Sequence, residues 1–229
     1  MLTLNKLYIL AYNVCMDIIL AVLGVFAILV LSEVLWRLKI IRGELARKFI
    51  HISVGSFVAF WPYFMTWQEV QLMSLAFLLV VIVSWKFTIF HAIHKVKRKT
   101  WGEVWFPIGI GIASIVSPSK EIFAAAILHV ALADGFAAVI GTAYGKAHHY
   151  RFFSYRKTVI GSLTFWFIST CIVIGTLVAV GSVSPLIAGL LIFWLPIATT
   201  FVESFAILGT DNVIIPIIVI AAMQLIAIA

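Results

Sequence analysis

Charge is what this sequence has least of. Only 11% of its 229 residues are Asp, Glu, Lys or Arg, and just nine are acidic. No polar linker or low-complexity stretch interrupts the apolar segments, which leaves one compact bundle, residues 1–229, without an extramembrane domain. The two cysteines, Cys15 and Cys171, both lie inside apolar segments. They read as packing residues, and neither a disulfide nor a zinc site follows from them. A Walker A loop is missing, since no Gly-x4-Gly-Lys-Ser/Thr order occurs. No nucleophile–base pair suggests acyl chemistry.

What is abundant is hydrocarbon. Hydrophobic residues make up 64% of the chain, and the mean hydropathy is +1.16. A bilayer core of about 30 Å calls for helices of roughly 20 apolar residues. The expected fold is all-α, a polytopic bundle of about eight spans near 13–36, 48–66, 70–91, 102–118, 120–143, 158–181, 185–207 and 211–229. The fourth is short and holds Pro107, Gly109 and Gly111, which suggests a broken or re-entrant segment. With one early cation, Lys6, and no small-residue cleavage site, the N-terminus reads as a retained first helix.

Thirteen of the sixteen Lys and Arg residues fall in alternate loops, around 37–48, 95–99 and 146–157. Short loops rich in these residues stay in the cytoplasm, so both termini are expected outside. The net charge of +7 is then mainly a topology signal that favours anionic headgroups. Its spread over separate loops argues against a nucleic-acid partner.

The polar residues segregate to the same half of the membrane. Asp134 lies some nine residues before the end of its span, roughly 13 Å deep at 1.5 Å per residue. An intramembrane carboxylate is expensive and marks a site. With Gly135, Gly141 and Gly145 it could hold a divalent cation or accept a proton where backbone approaches a ligand closely. Lys146, Arg156, Lys157 and the start of span six, with Thr158, Gly161 and Ser162, offer a lysine and helix N-terminal amides to an anion. The aromatic residues Tyr150, Phe152, Phe153 and Tyr155 could stack a base or simply sit at the interface. Glu203, Asp211 and Asn212 suit Mg²⁺ shared with phosphate oxygens. Lys48 and His51, three residues apart on one helix face, could bind phosphate or move a proton. His91, His94, His129, His148 and His149 read as interfacial residues.

In order along the chain, the pieces are Arg47-Lys48-x-x-His51, Glu103-x-x-Phe106-Pro107, Ala133-Asp134-Gly135-Phe136-Ala137-Ala138 with Gly141 and Gly145-Lys146, Lys157-Thr158-x-x-Gly161-Ser162, and Glu203 with Asp211-Asn212 before Pro216. The ordered set resembles the CTP-dependent lipid kinases that act on dolichol, phytol and diacylglycerol. Ala133 stands where many members have glycine. The small size places the chain nearer the compact phytol kinase type. The long acidic C-terminal signature of phosphatidate cytidylyltransferases is missing.

The resemblance implies a multi-pass enzyme, in a prokaryotic plasma membrane, that moves the γ-phosphate of CTP to a lipid alcohol with Mg²⁺ or a similar cation. Its site would face the cytoplasm. In that reading Asp134, Glu203, Asp211 and Asn212 hold the metal, and Asp134 accepts the hydroxyl proton, with Lys157 and His51 also catalytic. Lys48, Lys146, Lys157 and the residues Gly135, Gly141, Gly145, Thr158, Gly161 and Ser162 bind nucleotide phosphates. A cytidylyltransferase attacking the α-phosphorus is the nearest alternative. A small proton-coupled transporter is the alternative of another class, although no internal repeat is visible.

Overall fold

The computed structural model describes residues 4–87, 101–145, 147–152 and 155–228. Lys146, the cations between 95 and 99, and His91 and His94 lie outside the described residues. Helix accounts for 83% of the chain, which makes the fold all-α. The first helix, α1 (Leu4–Arg37), is followed by a turn through Lys39 at φ 65° and Gly43 at φ 54°. Glycine carries the second of these left-handed positions without a Cβ penalty. Next come α2 (Glu44–Ala59), a short 3-10 turn over Trp61–Tyr63, and α3 (Trp67–Phe87). A capping box opens α3: the Thr66 N–H donates to Glu69 Oε2 at 2.6 Å, and the Glu69 N–H to Thr66 Oγ1 at 3.4 Å.

The segment expected to be broken is the continuous helix α4 (Gly102–Val116), with Pro107 inside it. Pro107 stands in the second turn, where it forfeits one intrahelical bond, to the Glu103 carbonyl. The next rod runs from Lys120 to Tyr144 in three parts: α5 (Lys120–Leu128), a π-helical turn over His129–Asp134, and α6 (Gly135–Tyr144). A two-stranded antiparallel hairpin, β1 (His149–Phe152) and β2 (Tyr155–Thr158), pairs His149 with Thr158. Then follow α7 (Val159–Val180), α8 (Pro185–Phe205), α9 (Asp211–Met223) and α10 (Leu225–Ile228).

Among the described residues five helical segments are long and apolar enough to cross a bilayer: 14–37, 67–84, 120–144, 159–180 and 185–205. The helices α4 and α9 are apolar but shorter, and α2 has 16 residues. The Lys120–Tyr144 rod is central, with 72% of its apolar window buried, against 6% for α1 at the periphery. Phe123, Ile127 and Val130 of the rod meet Val54 and Val58 of α2, Ile110 of α4, Phe165 of α7 and Ile215 and Val219 of α9 in one core. Large apolar side chains such as Leu23, Leu79, Phe167 and Phe193 face outwards from the outer helices. Such a surface matches lipid tails and would be a liability in water. Cys15 and Cys171 are also exposed, which corrects their reading as packing residues: α1 and α7 turn those positions away from the core.

Backbones approach closely at one contact that bears on the site. A Cβ added at Gly109 of α4 would run into the main-chain carbonyl of Asn212, at the start of α9. Small residues at membrane helix crossings permit such proximity. Gly109→Ala must therefore push α9 outwards, at a cost of about 1–3 kcal/mol. We expect a clearly lower thermal unfolding midpoint in detergent than for the parent protein; an unchanged midpoint would show that the two helices can separate freely.

Candidate active site

The polar residues that the sequence scatters over six segments converge on one cavity of about 830 Å³. Its walls include Arg47, Lys48 and His51 of α2, Glu103 of α4, Asp134 and Gly141 of the central rod, Lys157 and Thr158 of β2, Gly161 and Ser162 of α7, Glu203 of α8, and Asp211 and Asn212 of α9. Two cross-bundle ion pairs organise it. Lys48 Nζ donates to Asp134 Oδ2 at 2.5 Å, joining α2 to the central rod, and both residues are buried. Lys157 Nζ donates to the main-chain carbonyl of Glu203 at 3.0 Å and also to its carboxylate, joining β2 to α8. Burial alone would lower the Lys157 ammonium, but Glu203, Asp134 and Asp211 outweigh it and hold it above the ordinary lysine range. A third pair, Arg47 with Glu44, lies within the first turn of α2.

The π turn sets the remaining geometry. An i→i+5 ladder loosens one turn of the rod, and such turns gather at functional sites. Here the Val130 carbonyl inside it accepts from His51 Nε2 at 3.1 Å. Because a carbonyl only accepts, Nε2 carries a proton, and in the neutral imidazole Nδ1 then keeps the lone pair. The imidazole also packs edge-on against Phe106, with ring centroids 5.0 Å apart, and its Nε2 stands 3.7 Å from Asp134 Oδ2. Lys48 thus occupies Oδ2 of Asp134, and no bond to Oδ1 is made among the described residues.

At the start of α9 the chain passes through Leu208 at φ 56° and Gly209 at φ 88°. This turn lays Gly209 against the backbone of Gly102 and fixes Asn212, whose Nδ2 donates to the Gly209 carbonyl at 2.9 Å. Asn212 Oδ1 is buried without a partner, and Asp211 Oδ1 accepts from the Asn212 N–H at 3.1 Å. Among the described residues no three His, Cys, Asp or Glu side chains stand close enough to form a ready metal cage. Mg²⁺ does not need one, since it commonly takes one or two carboxylates together with substrate phosphates. The orphaned Asn212 Oδ1 beside the Asp211 carboxylate fits that donor set.

The glycines divide by role. Gly141 and Gly161 line the cavity, whereas Gly135 and Gly145 do not. A Cβ at Gly135 would strike Ile52 of α2, and one at Gly145 would strike Thr158, so these two are packing contacts. The amides at the start of α7 are partly taken: Thr158 Oγ1 accepts from the Gly161 N–H at 3.1 Å, and the Val159 N–H bonds the His148 carbonyl at 3.2 Å. Ser162 shares a hydroxyl bond of 2.7 Å with Tyr150, whose oxygen also lies 2.8 Å from Ser204. Tyr150 therefore ties the hairpin to α7 and α8.

His129, read from the sequence as interfacial, is fully buried. Its Nδ1 donates to the Ala125 carbonyl at 2.7 Å, one turn back in the rod. Glu44 also lines the cavity and was missed, although its i,i+3 spacing from Arg47 was readable.

Fold and cavity together define a helical membrane protein with a buried charged site beside an apolar wall. A curated phytol kinase from Synechocystis sp. is 30% identical over 198 residues, covering 83% of this chain and 82% of the relative. No family model matches, and no solved structure matches. The chain belongs to the phytol kinase family.

Removing Lys48 alone leaves the Asp134 carboxylate buried and unpaired, which costs on the order of 3–5 kcal/mol. Lys48→Ala should therefore melt well below the parent in detergent, and adding Asp134→Ala should recover part of that loss. Strictly additive losses in the double variant would mean that the pair is not coupled.

Proposed function

We propose that the protein phosphorylates a membrane lipid alcohol, taking the γ-phosphate of a nucleoside triphosphate, CTP by family resemblance. The observation that carries this reading is the joining, in one cavity, of three basic side chains and several carboxylates to an apolar wall. Similarity to a phytol kinase supports the same reaction class.

In this mechanism the lipid hydroxyl oxygen attacks the γ-phosphorus. The new O–P bond forms as the bond from the γ-phosphorus to the β,γ-bridging oxygen breaks, and the nucleoside diphosphate leaves with that oxygen. Asp134 accepts the hydroxyl proton through Oδ1, while Lys48 on Oδ2 keeps the carboxylate oriented. Phosphoryl transfer asks mainly for positioning and charge neutralisation. Arg47 and Lys48 of α2 and Lys157 of β2 supply the positive charge from two walls, and the close contact of Gly141 with Gly161 keeps α6 and α7 together beneath them. His51, held by Val130, keeps its ring beside Asp134, where the hydroxyl would react. Asp211, Glu203 and Asn212 Oδ1 would hold Mg²⁺, which when bound screens charge on the phosphate oxygens. Lys146 is assigned to the nucleotide phosphates by the resemblance alone.

We further propose that α2, α4 and α9 also cross the bilayer, giving eight spans in one integral domain. The cavity then opens to the cytoplasm, the orientation that the Lys- and Arg-rich loops favour.

Two results are expected. Purified protein in lipid with Mg²⁺ should transfer label to a lipid alcohol from γ-labelled CTP and not from α-labelled CTP. Label arriving from the α position would make the protein a cytidylyltransferase, and silence from both, with ATP also tried, would favour a transporter. Asp134→Asn, which keeps an oxygen for the Lys48 ammonium, should lower kcat by at least about 100-fold with an unchanged elution profile. Full turnover in that variant would remove Asp134 from the chemistry.

A further inference from the structure

The charged cavity does not end at its charged residues. Past Lys48 and His51 it continues along Val54 of α2 and Phe106 of α4, then between Val25 and Leu29 of α1 and Phe77 and Val80 of α3. Among the described residues these walls carry no free polar group: Ser84 returns its hydroxyl to the Val81 carbonyl at 2.8 Å. The helices α1 and α3 frame the opening without closing it, since α1 packs on α2 and barely touches α3, while α3 packs on α4. Val25, Leu29 and Phe77 are half-buried, and Val80 is exposed on the bundle surface. Among the described residues the apolar arm is thus open sideways, at the depth where a bilayer holds hydrocarbon.

We infer that the cleft between α1 and α3 is the binding slot for the hydrocarbon tail of the acceptor, through which a lipid alcohol slides laterally from the bilayer until its hydroxyl meets Asp134. The inference rests on the kinase reading above and adds where the acceptor lies. Three features favour a tail as occupant over a helix of a partner protein. The slot is continuous with the charged site, so its occupant must present a polar head there. Among the described residues its walls offer no hydrogen-bond partner that a peptide side chain could use. At its inner end His51 and Phe106 pack edge-on, with ring centroids 5.0 Å apart, and form an aromatic wall for a hydrocarbon chain. Chain length and branching of the acceptor are then read by α1 and α3, while the charged residues read only its hydroxyl.

Two measurements test the slot. First, a long-chain alcohol carrying a diazirine at its tail is photolysed with the full-length protein in detergent or nanodiscs, and adducts are mapped by mass spectrometry. Adducts concentrated on α1 and α3 around Val25, Leu29 and Val80 are expected. Adducts spread evenly over the lipid-facing surface, including Val178 on the exposed flank of α7, would overturn the assignment. Second, Leu29→Trp and Val80→Trp should each raise KM for a long-chain alcohol about tenfold, the equivalent of roughly two lost methylene contacts. KM for the nucleotide should stay unchanged. Val178→Trp, on the exposed flank of α7 and outside the cavity lining, serves as control; an equal rise in that variant, or none in the slot variants, would overturn the proposal. The first measurement needs no turnover, so a wild-type protein that phosphorylates no lipid alcohol would sink the kinase reading while the adduct map still judges the slot.

Discussion

The charged cavity is arranged around a carboxylate placed where a membrane protein should not have one. Asp134 is buried in the central rod and survives there because Lys48 reaches it from α2 at 2.5 Å. Either charge alone would be strongly destabilising in such surroundings, whereas together with their hydrogen bond they are tolerable. The pair therefore also fixes α2 against the rod. With α2 in place, His51 meets the Val130 carbonyl and Phe106, and the cavity acquires its roof. The second pair, Lys157 with Glu203, repeats the device on the opposite wall and ties the hairpin to α8. Substrate phosphates entering such a site meet lysines that are already held in place, and the ordering cost has been met during folding.

The lipid-facing exterior and the charged interior follow from different rules, and the sequence displays them unequally. Apolar runs made the helical class legible, and scarcity of charge made each buried charge conspicuous: Lys48, His51, Asp134, Lys157, Glu203, Asp211 and Asn212 all line one cavity. Helix limits were less legible. Pro107 suggested a break because proline lacks an N–H, yet in the second turn of α4 only one bond is at stake. Glycines misled for a related reason. Close backbone approach to a ligand and close approach to a neighbouring helix leave the same mark in a sequence, and Gly135 and Gly145 serve the second purpose.

Other features had no linear signal. The π turn depends on the competition between i→i+4 and i→i+5 ladders under tertiary load, which no residue type announces. His129 looked interfacial because histidine usually is. Its burial is made possible by a bond from Nδ1 to the carbonyl four residues earlier, a partner that every helix offers. The cysteines were placed inside because free cysteine usually packs there, but on helices that are apolar all round, hydrophobicity cannot tell the core face from the lipid face. For the same reason the tail slot is invisible in sequence: Val80 and Val83 read like any other valines on α3.

The π turn has one more effect, on phase. An α-helix advances about 100° per residue, and a stretch wound more loosely shifts everything beyond it around the axis. The Lys120–Tyr144 rod therefore acts as a shaft in two sections set at an angular offset. Its outer section, α5, is keyed to the apolar core through Phe123 and Ile127, and its inner section, α6, is keyed to α7 through Gly141 and Gly161. The joint between them falls at Val130 and Asp134, the two residues that α2 grips. Core packing and site geometry are thus set by separate sections of one helix, so that substitutions which repack α5 need not rotate the carboxylate at the joint.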